Sequence, residues 1–368
     1  MAKNLAKNGH KVWVITNKII NETYEDQNNI KINFVKPVLE YRGGIPLGFL
    51  DNLRYSFHAF FAGLSLIKKE KIDIIHSNNF SPSLVGSFLS LFTSKPHIMT
   101  IHDVFSLYDK DFWKKWSKQV GVSKTSSMLI PFFEKLMIHF HHNVVHTVSD
   151  ATKDDLTKLG ERKPIYVIEN SVESFLLDSN IENPYQIIYV GRLVFYKNLE
   201  VVLKAIPIIK QKIPKIKLVI VGGGPYKENL VELIKKLGIN ENVELKGYQN
   251  TEQKHELISQ SVALVLPSVC EGFGLVILEA FSHKKPVIVS DVRPMSDIVQ
   301  NNKTGLTLNP YDEKAWAEGI KQILQNPELS KTMGQEGNKI LDTKYTQEIM
   351  YEKLIKMYNH VTVSTDVI

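Results

Sequence analysis

Short runs of β-branched and aliphatic residues alternate along the chain with amphipathic segments of helical length, and this alternation restricts the fold more than any other feature. It is the pattern of parallel sheets covered by helices on both faces. In the first half, strands are expected at Lys11 to Thr16, Ile30 to Val35, Ile72 to His76, His97 to Ile101, Asn143 to Val148 and Ile165 to Ile168. In the second half they are expected at Gln186 to Val190, Lys217 to Val221, Val243 to Lys246, Ala263 to Pro267 and Pro286 to Ser290. Helices are expected at Leu199 to Ile213, Tyr226 to Leu237, Phe273 to His283 and Thr346 to His360. At 368 residues the chain exceeds the roughly 250–300 at which one core stops growing, so two α/β domains are expected. The stretch Glu173 to Tyr185 has neither period nor a long apolar run and reads as the linker. Domains are therefore expected over 1–178 and 183–345, with a terminal helix and tail over 346–368 that crosses back to the first domain.

Other classes are set aside by composition. Hydrophobic residues at 43% place the chain among folded proteins rather than disordered ones. The single cysteine, Cys270, excludes an internal disulfide framework and a Cys-cluster zinc site, and suits a reducing cytoplasm. The longest apolar stretches, Tyr55 to Ile67 and Leu84 to Phe92, are shorter than the ~20 residues of a membrane span. A formal charge of +6 suits anionic substrates or lipid head groups without demanding nucleic acid, which is not expected as a partner.

Three segments carry candidate chemistry. In PSVCEGFGLVILEAF, Pro267 to Phe281, a strand end leads through Gly272 and Gly274 into a helix whose leading amides favour phosphate or a polarised hydroxyl. Glu271 in its loop and Glu279 about a turn into the helix could hold hydroxyls of linked sugars. They could equally be a surface carboxylate and a helix-start glutamate placed by the dipole. In VGRLVFYKNLEVV, Gly191 lets the chain turn so that Arg192 and Lys197 flank a helix start, where they can neutralise a diphosphate or stand as solvated cations. VIVGGGPYKENL has Gly222, Gly223 and Gly224 but Lys227 where the dinucleotide fingerprint ends in glycine. A hydride-transfer cofactor is therefore a poor fit, and close backbone approach to a ligand, or a plain tight turn, is left.

Taken in order, these three segments resemble the nucleotide-sugar half of glycosyltransferase family 4, retaining enzymes of the two-lobed GT-B fold. The resemblance extends through GHKVWVIT near the start, TIHD at Thr100 to Asp103, VSDATKDDL at Val148 to Leu156, ENSV at Glu169 to Val172 and TGLTLNP at Thr304 to Pro310, and so covers nearly the whole chain. It implies two Rossmann-like doubly wound domains facing a cleft. It implies that Arg192 and Lys197, after Gly191, stabilise the departing nucleoside diphosphate, that Glu279 holds the ribose and that Glu271 holds the donor sugar. Backbone from Gly272 through Phe273, Gly274 and Leu275, and the loop Gly222 to Gly224, would line the donor site, and His102 of TIHD would act near the donor sugar. The same resemblance implies no metal and no cofactor beyond the sugar donor, and no dedicated protein base. Asp103 either orients His102 or caps the next segment. Cys270 reads as a buried strand-end thiol.

One departure concerns the amino-terminal domain. A doubly wound domain normally opens with a strand and a Gly-rich turn into its first helix. Here LAKNGHKVWVIT reads as that helix and the strand after it, so the first strand and its turn are expected to be missing from the sequence as given, leaving a sheet edge open.

The expected activity is transfer of a hexose from a UDP- or GDP-sugar to a glycan or lipid-linked acceptor in cytoplasmic glycan biosynthesis. Between Lys110 and Lys124 five lysines interleave with Phe112, Trp113 and Trp116. That makes an anionic membrane surface a candidate partner, with the chain peripheral on the inner face of the cell membrane; a helix packed on the sheet with a basic edge is the other reading. A nucleotide-sugar epimerase of the same fold and a non-catalytic scaffold subunit are the competing functions.

Overall fold

The computed structural model describes residues 1–20, 29–39, 48–121, 124–173 and 183–363, so the expected linker lies largely outside the described residues. The strands in chain order are β1 (Val12–Ile19), β2 (Ile30–Leu39), β3 (Ile75–Asn78), β4 (His97–Ile101), β5 (Val144–Thr147), β6 (Ile165–Val167), β7 (Gln186–Val190), β8 (Lys217–Val221), β9 (Val243–Gly247), β10 (Ala263–Leu266), β11 (Val287–Ser290) and β12 (Gly305–Leu308). The helices are α1 (Ala2–Lys7), α2 (Phe49–Lys69), α3 (Phe80–Thr93), α4 (Lys110–Val120), α5 (Lys124–Met137), α6 (Asp150–Leu159), α7 (Leu199–Lys210), α8 (Lys227–Leu237), α9 (Thr251–Ser259), α10 (Leu275–Ser282), α11 (Met295–Ile298), α12 (Glu313–Gln325), α13 (Pro327–Lys344) and α14 (Gln347–Val363). They form two compact units: unit 1 is Met1–Lys110, Ser123–Glu169 and Gln347–Ile368, and unit 2 is Asp111–Val122 with Asn170–Thr346.

Every strand pairing is parallel, as the alternation of strands and helices requires. Unit 1 holds a two-stranded sheet, β1–β2, and a four-stranded sheet, β3–β4–β5–β6. Helices α2 and α3 pack over both: Tyr55, Ala59, Val85 and Leu89 form a cluster that takes in Ile15 of β1, Val35 of β2 and Ile75 of β3. Alternate residues of β4 and β5 serve opposite faces. Met99 and Val145 pack with Met137 and Leu156 of α5 and α6. Ile98 and Val144 pack with Leu354, Met357 and Val361 of α14, which joins this unit although it ends the chain. Polar side chains reinforce the same faces: Tyr358 Oη lies 2.8 Å from His76 Nδ1, and the buried Thr100 Oγ1 stands 2.6 Å from His76 Nε2 and 2.9 Å from His146 Nδ1.

β3 begins three residues later than the expected start at Ile72. Its neighbour explains the shift: β4 pairs from Ile75↔His97, where Ile75 N–H donates to the Pro96 carbonyl, and Pro96 has no N–H with which to extend the ladder. α6 starts where Ser149 Oγ accepts the Thr152 amide and stops at the left-handed Gly160.

Unit 2 is a six-stranded sheet in the order β12–β11–β10–β7–β8–β9. Its central strands read as unbroken apolar runs because both faces are covered; Ile187, Ile188, Leu218, Ile220, Leu264 and Val265 are fully buried. β12 was not anticipated. Its four residues GLTL form too short and too glycine-rich a run to stand out, and it is held by pairing along the whole of β11. The segment Asp111–Val122 also falls with unit 2, although it lies within the first half of the sequence. Phe112 is buried, 5.2 Å from Phe195 and 5.9 Å from Tyr196 between ring centroids, and Gln119 Oε1 accepts the Phe195 amide.

Candidate active site

Strand order decides where unit 2 can hold a ligand. β7 comes first in its sheet's sequence and lies between β8 and β10, so the chain leaves β7 toward one side and β10 toward the other. In open parallel sheets the crevice beyond the carboxyl ends of such a strand pair is the natural ligand site. The loops after β7, β8 and β10 are the three segments singled out in the sequence.

The first two loops are bound together by backbone. Leu193 N–H donates to the Gly223 carbonyl at 2.9 Å, and Tyr226 N–H to the Leu193 carbonyl at 2.9 Å. Gly222 sits at φ 127°, and a Cβ there would stand 2.0 Å from the Gly191 carbonyl oxygen; at Gly224 it would stand 2.3 Å from that of Leu193. What these two glycines approach is therefore the neighbouring loop. Gly223 has open space around the position of a Cβ.

The loops after β7 and β10 are joined just as directly. Val269 N–H donates to the Tyr196 carbonyl, and Asn198 Nδ2 reaches the carbonyls of Pro267 and Pro310 at 3.2 and 2.7 Å. This places Lys197 Nζ 2.5 Å from Glu271 Oε1, with side chains only 11% and 12% exposed. Ser268 Oγ donates to the same carboxylate oxygen at 2.9 Å, and the Lys197 ammonium lies 5.5 Å from the Tyr196 ring centroid. Arg192 is exposed, and its guanidinium donates to Tyr196 Oη at 3.1 Å. Tyr196 thus braces both cations from beneath, while Phe112 packs against its ring.

After Glu271 the chain passes Gly272 and the buried Phe273 to Gly274, at φ 90°, the residue preceding α10. Leu275 opens the helix and is exposed; Ile277 N–H turns back to the Gly274 carbonyl at 2.9 Å, which leaves the amides of Leu275 and Val276 as the leading donors of the first turn. Glu279 follows on the next turn, where Lys254 Nζ of α9 donates to Oε1 at 2.6 Å with side chains 22% and 17% exposed. Behind it, His255 Nδ1 and His283 Nε2 share a 2.8 Å hydrogen bond, and burial holds both imidazoles down to about 4. Cys270 is buried.

His102 lies in unit 1 at the carboxyl end of β4. Its amide donates to Asn79 Oδ1 and its carbonyl accepts from Thr152 Oγ1 at 3.1 Å, which ties it to the start of α6; burial lowers its pKa. Among the described residues no cluster of three or more His, Cys, Asp or Glu side chains is arranged to hold a metal ion.

Within unit 2, then, Gly191, Arg192, Lys197 and the stretch from Glu271 to Glu279 stand on neighbouring loops, with Gly222 to Gly224 as the backbone support of the first. Three participants were not legible beforehand. Ser268 and Tyr196 lie inside quoted motifs but carry no signal of their own. Lys254 lies 25 positions from its partner, and only the packing of α9 on α10 brings it near.

The chain is similar to known proteins over most of its length. An uncharacterized glycosyltransferase of Methanocaldococcus jannaschii is 24% identical over 97% of this chain and 92% of its own length. The capsular polysaccharide biosynthesis glycosyltransferase CapM of Staphylococcus aureus is 27% identical over 80% of this chain and 78% of its own. Among solved structures, sucrose-phosphate synthase from Thermosynechococcus elongatus superposes with a TM-score of 0.82 at 21% identity, covering 99% of this chain and 92% of that one. HepE of Anabaena, solved in complex with UDP, gives 0.70 at 14% identity over 95% of this chain and 100% of that one. Residues 1–174 match Glycosyltransferase Family 4 and residues 172–340 match glycosyl transferases group 1. With the GT-B fold and both halves of the sequence accounted for, the chain belongs to glycosyltransferase family 4.

Proposed function

We propose that this protein is a retaining glycosyltransferase that moves a hexose from a nucleoside diphosphate sugar, of which UDP-sugars are the first to test, to a glycan or lipid-linked acceptor. The observation that carries the reading is the Lys197–Glu271 pair beside Arg192 at the switch point of the unit 2 sheet. Two cations held on a braced loop, next to the open first turn of α10, are suited to the charge that appears on a departing diphosphate. Fixed donors of this kind act without reorganising as the bond breaks. Glu271 keeps Lys197 extended before the donor arrives, and Ser268 fixes the carboxylate that does so. Glu279, oriented by Lys254, offers an acceptor oxygen to ribose hydroxyls. The HepE complex with UDP supports a UDP donor. No protein group needs to act as base if a donor phosphate oxygen takes the acceptor proton, which is the front-side course proposed here. No metal is assigned.

A panel of UDP- and GDP-sugars, incubated without acceptor and assayed for released nucleotide, tests the proposal. Slow hydrolysis of one donor is expected, falling roughly 10²- to 10³-fold on Lys197→Met, the loss typical of one transition-state donor. His102→Ala is expected to lower turnover while leaving UDP affinity unchanged. Nucleotide binding without turnover of any donor would favour the scaffold reading instead, and absence of both binding and turnover would end the proposal.

A further inference from the structure

The two units differ sharply in what they show to solvent. Of the twenty-one exposed large apolar side chains among the described residues, unit 2 contributes three, Tyr248, Leu275 and Tyr311, whereas α2, α3 and α5 of unit 1 contribute twelve. These helices form one layer: α2 packs on α3 through Gly63 against Leu89, and Phe60 of α2 meets Phe92 of α3 at 5.7 Å between rings. α5 adjoins α3, where Ser87 Oγ donates to the His141 carbonyl just beyond α5.

Each helix of the layer is apolar on the side away from the sheet. On α2, Tyr55, Ala59 and Gly63 point inward and are buried, while Leu53, Phe57 and Phe61 run down the outer side and are 49%, 62% and 54% exposed. A helix apolar all round is normally buried. On α3 the exposed side chains from Ser81 to Thr93 are Phe88, Leu91 and Phe92. On α5, Phe132, Phe133 and Leu136 are exposed beside Lys135. A contiguous face of this kind marks an interaction surface.

Its charge identifies the occupant. Among the described side chains of the three helices, those both charged and exposed are Arg54, Lys68, Lys69 and Lys135, every one a cation. Lys68 and Lys69, at the end of α2, continue into a surface hollow of about 460 Å³ where, with Lys71 and Lys95, they outweigh the carboxylates of Glu70 and Asp73. A second copy of the chain would set this excess of cations against its own equivalent, because a two-fold interface is self-complementary, and the one carboxylate of α2, Asp51, already pairs with Arg54. An anionic lipid surface meets both requirements, accepting the aromatic and leucine side chains at the interface and the lysines at the head groups. We propose that the outer face of α2, α3 and α5 docks the protein on an anionic bilayer. This surface does not include α4, whose Phe112 is buried inside unit 2. No described helix is long and apolar enough to cross a membrane, so attachment here is by one face.

Sedimentation with vesicles of phosphatidylcholine alone and with about 30 mol% phosphatidylglycerol tests the proposal. Binding is expected to the second and not the first. Lys68→Glu with Lys69→Glu is expected to lower the partition coefficient at least about 30-fold, two cations each adding about a kcal/mol at such a surface. Phe57→Ser with Phe61→Ser is expected to lower it at least about tenfold. Lys235→Glu with Lys236→Glu on α8 makes the same charge change in unit 2 and is expected to leave binding unchanged. All three pairs are surface changes, so matching melting curves verify the fold. Retention of vesicle binding by both α2 variants would overturn the proposal. So would equal binding to neutral vesicles, or a dimer that dissociates on Phe57→Ser with Phe61→Ser while vesicle binding is absent. Nucleotide release in solution is read separately, so failure here leaves the donor chemistry untouched.

Discussion

The Lys197–Glu271 pair can be weighed by a double-mutant cycle with Lys197→Met and Glu271→Gln. Both side chains are nearly closed off from water, so removing one charge strands the other where hydration is poor. Glu271→Gln retains an oxygen that can accept from Ser268, so its cost reports the lost charge rather than a lost hydrogen bond. Each single change is expected to cost about 2–3 kcal/mol, below the figure for a fully buried pair because a tenth of each side chain remains accessible. In a unit of this size that corresponds to a fall in Tm of roughly 5–10 °C. The double variant leaves neither charge stranded and is expected to cost about as much as one single change, a coupling of about 2 kcal/mol. Urea denaturation of the four proteins measures the cycle, and calorimetric titration with UDP adds a functional arm. There, Lys197→Met is expected to weaken binding about 10- to 100-fold, and Glu271→Gln to leave it within a few-fold. If the stability changes add to within about 0.5 kcal/mol, the two groups do not support one another and the account of a pre-extended lysine fails.

Two further outcomes are expected. Acid should loosen unit 1, because burial presses His97 and His146 down to about 4 and lowers His76 well below its ordinary value. The unfolded chain takes up these protons near pH 6.5 while the fold refuses them, so stability is full above pH 6.5 and declines toward pH 4 at up to about 1.4 kcal/mol per pH unit for each histidine. Urea titrations at stepped pH should show a shallower decline in His97→Gln; an unchanged slope would refute the assignment. In the glycine loop, Gly222→Ala meets the Gly191 carbonyl and should cost at least about 2–4 kcal/mol, while Gly223→Ala enters open space and should stay within about 0.5 kcal/mol of wild type in melting experiments. Equal losses at the two positions would show that the loop packing is misread.

Much of the fold was legible because parallel strands covered on both faces must be short, continuous and apolar. β4, β7 and β8 fall on the residues expected, and β9 to β11 within one residue at either end. The differences have tertiary causes. β3 is set by where Pro96 ends its neighbour's ladder, and β12 by the open edge of β11. Arg192, Lys197, Glu271 and Glu279, the residues proposed for the site, stand out in the sequence because they lie in compact motifs that begin at strand ends. Lys254 and Phe112 do not, since each acts on residues distant in the chain.

The sequence by itself determined the class of fold, the three loops and the residue types they present, because strand period, glycine placement and local charge are properties of neighbours along the chain. Only the tertiary structure decided which charges meet, that Gly222 and Gly224 seat one loop on another, that the aromatic helix α4 braces unit 2, and that α2 is apolar on its outer side as well as its inner one. Those facts depend on strand order and helix packing, and short-range pattern carries no record of which distant segments come to lie side by side.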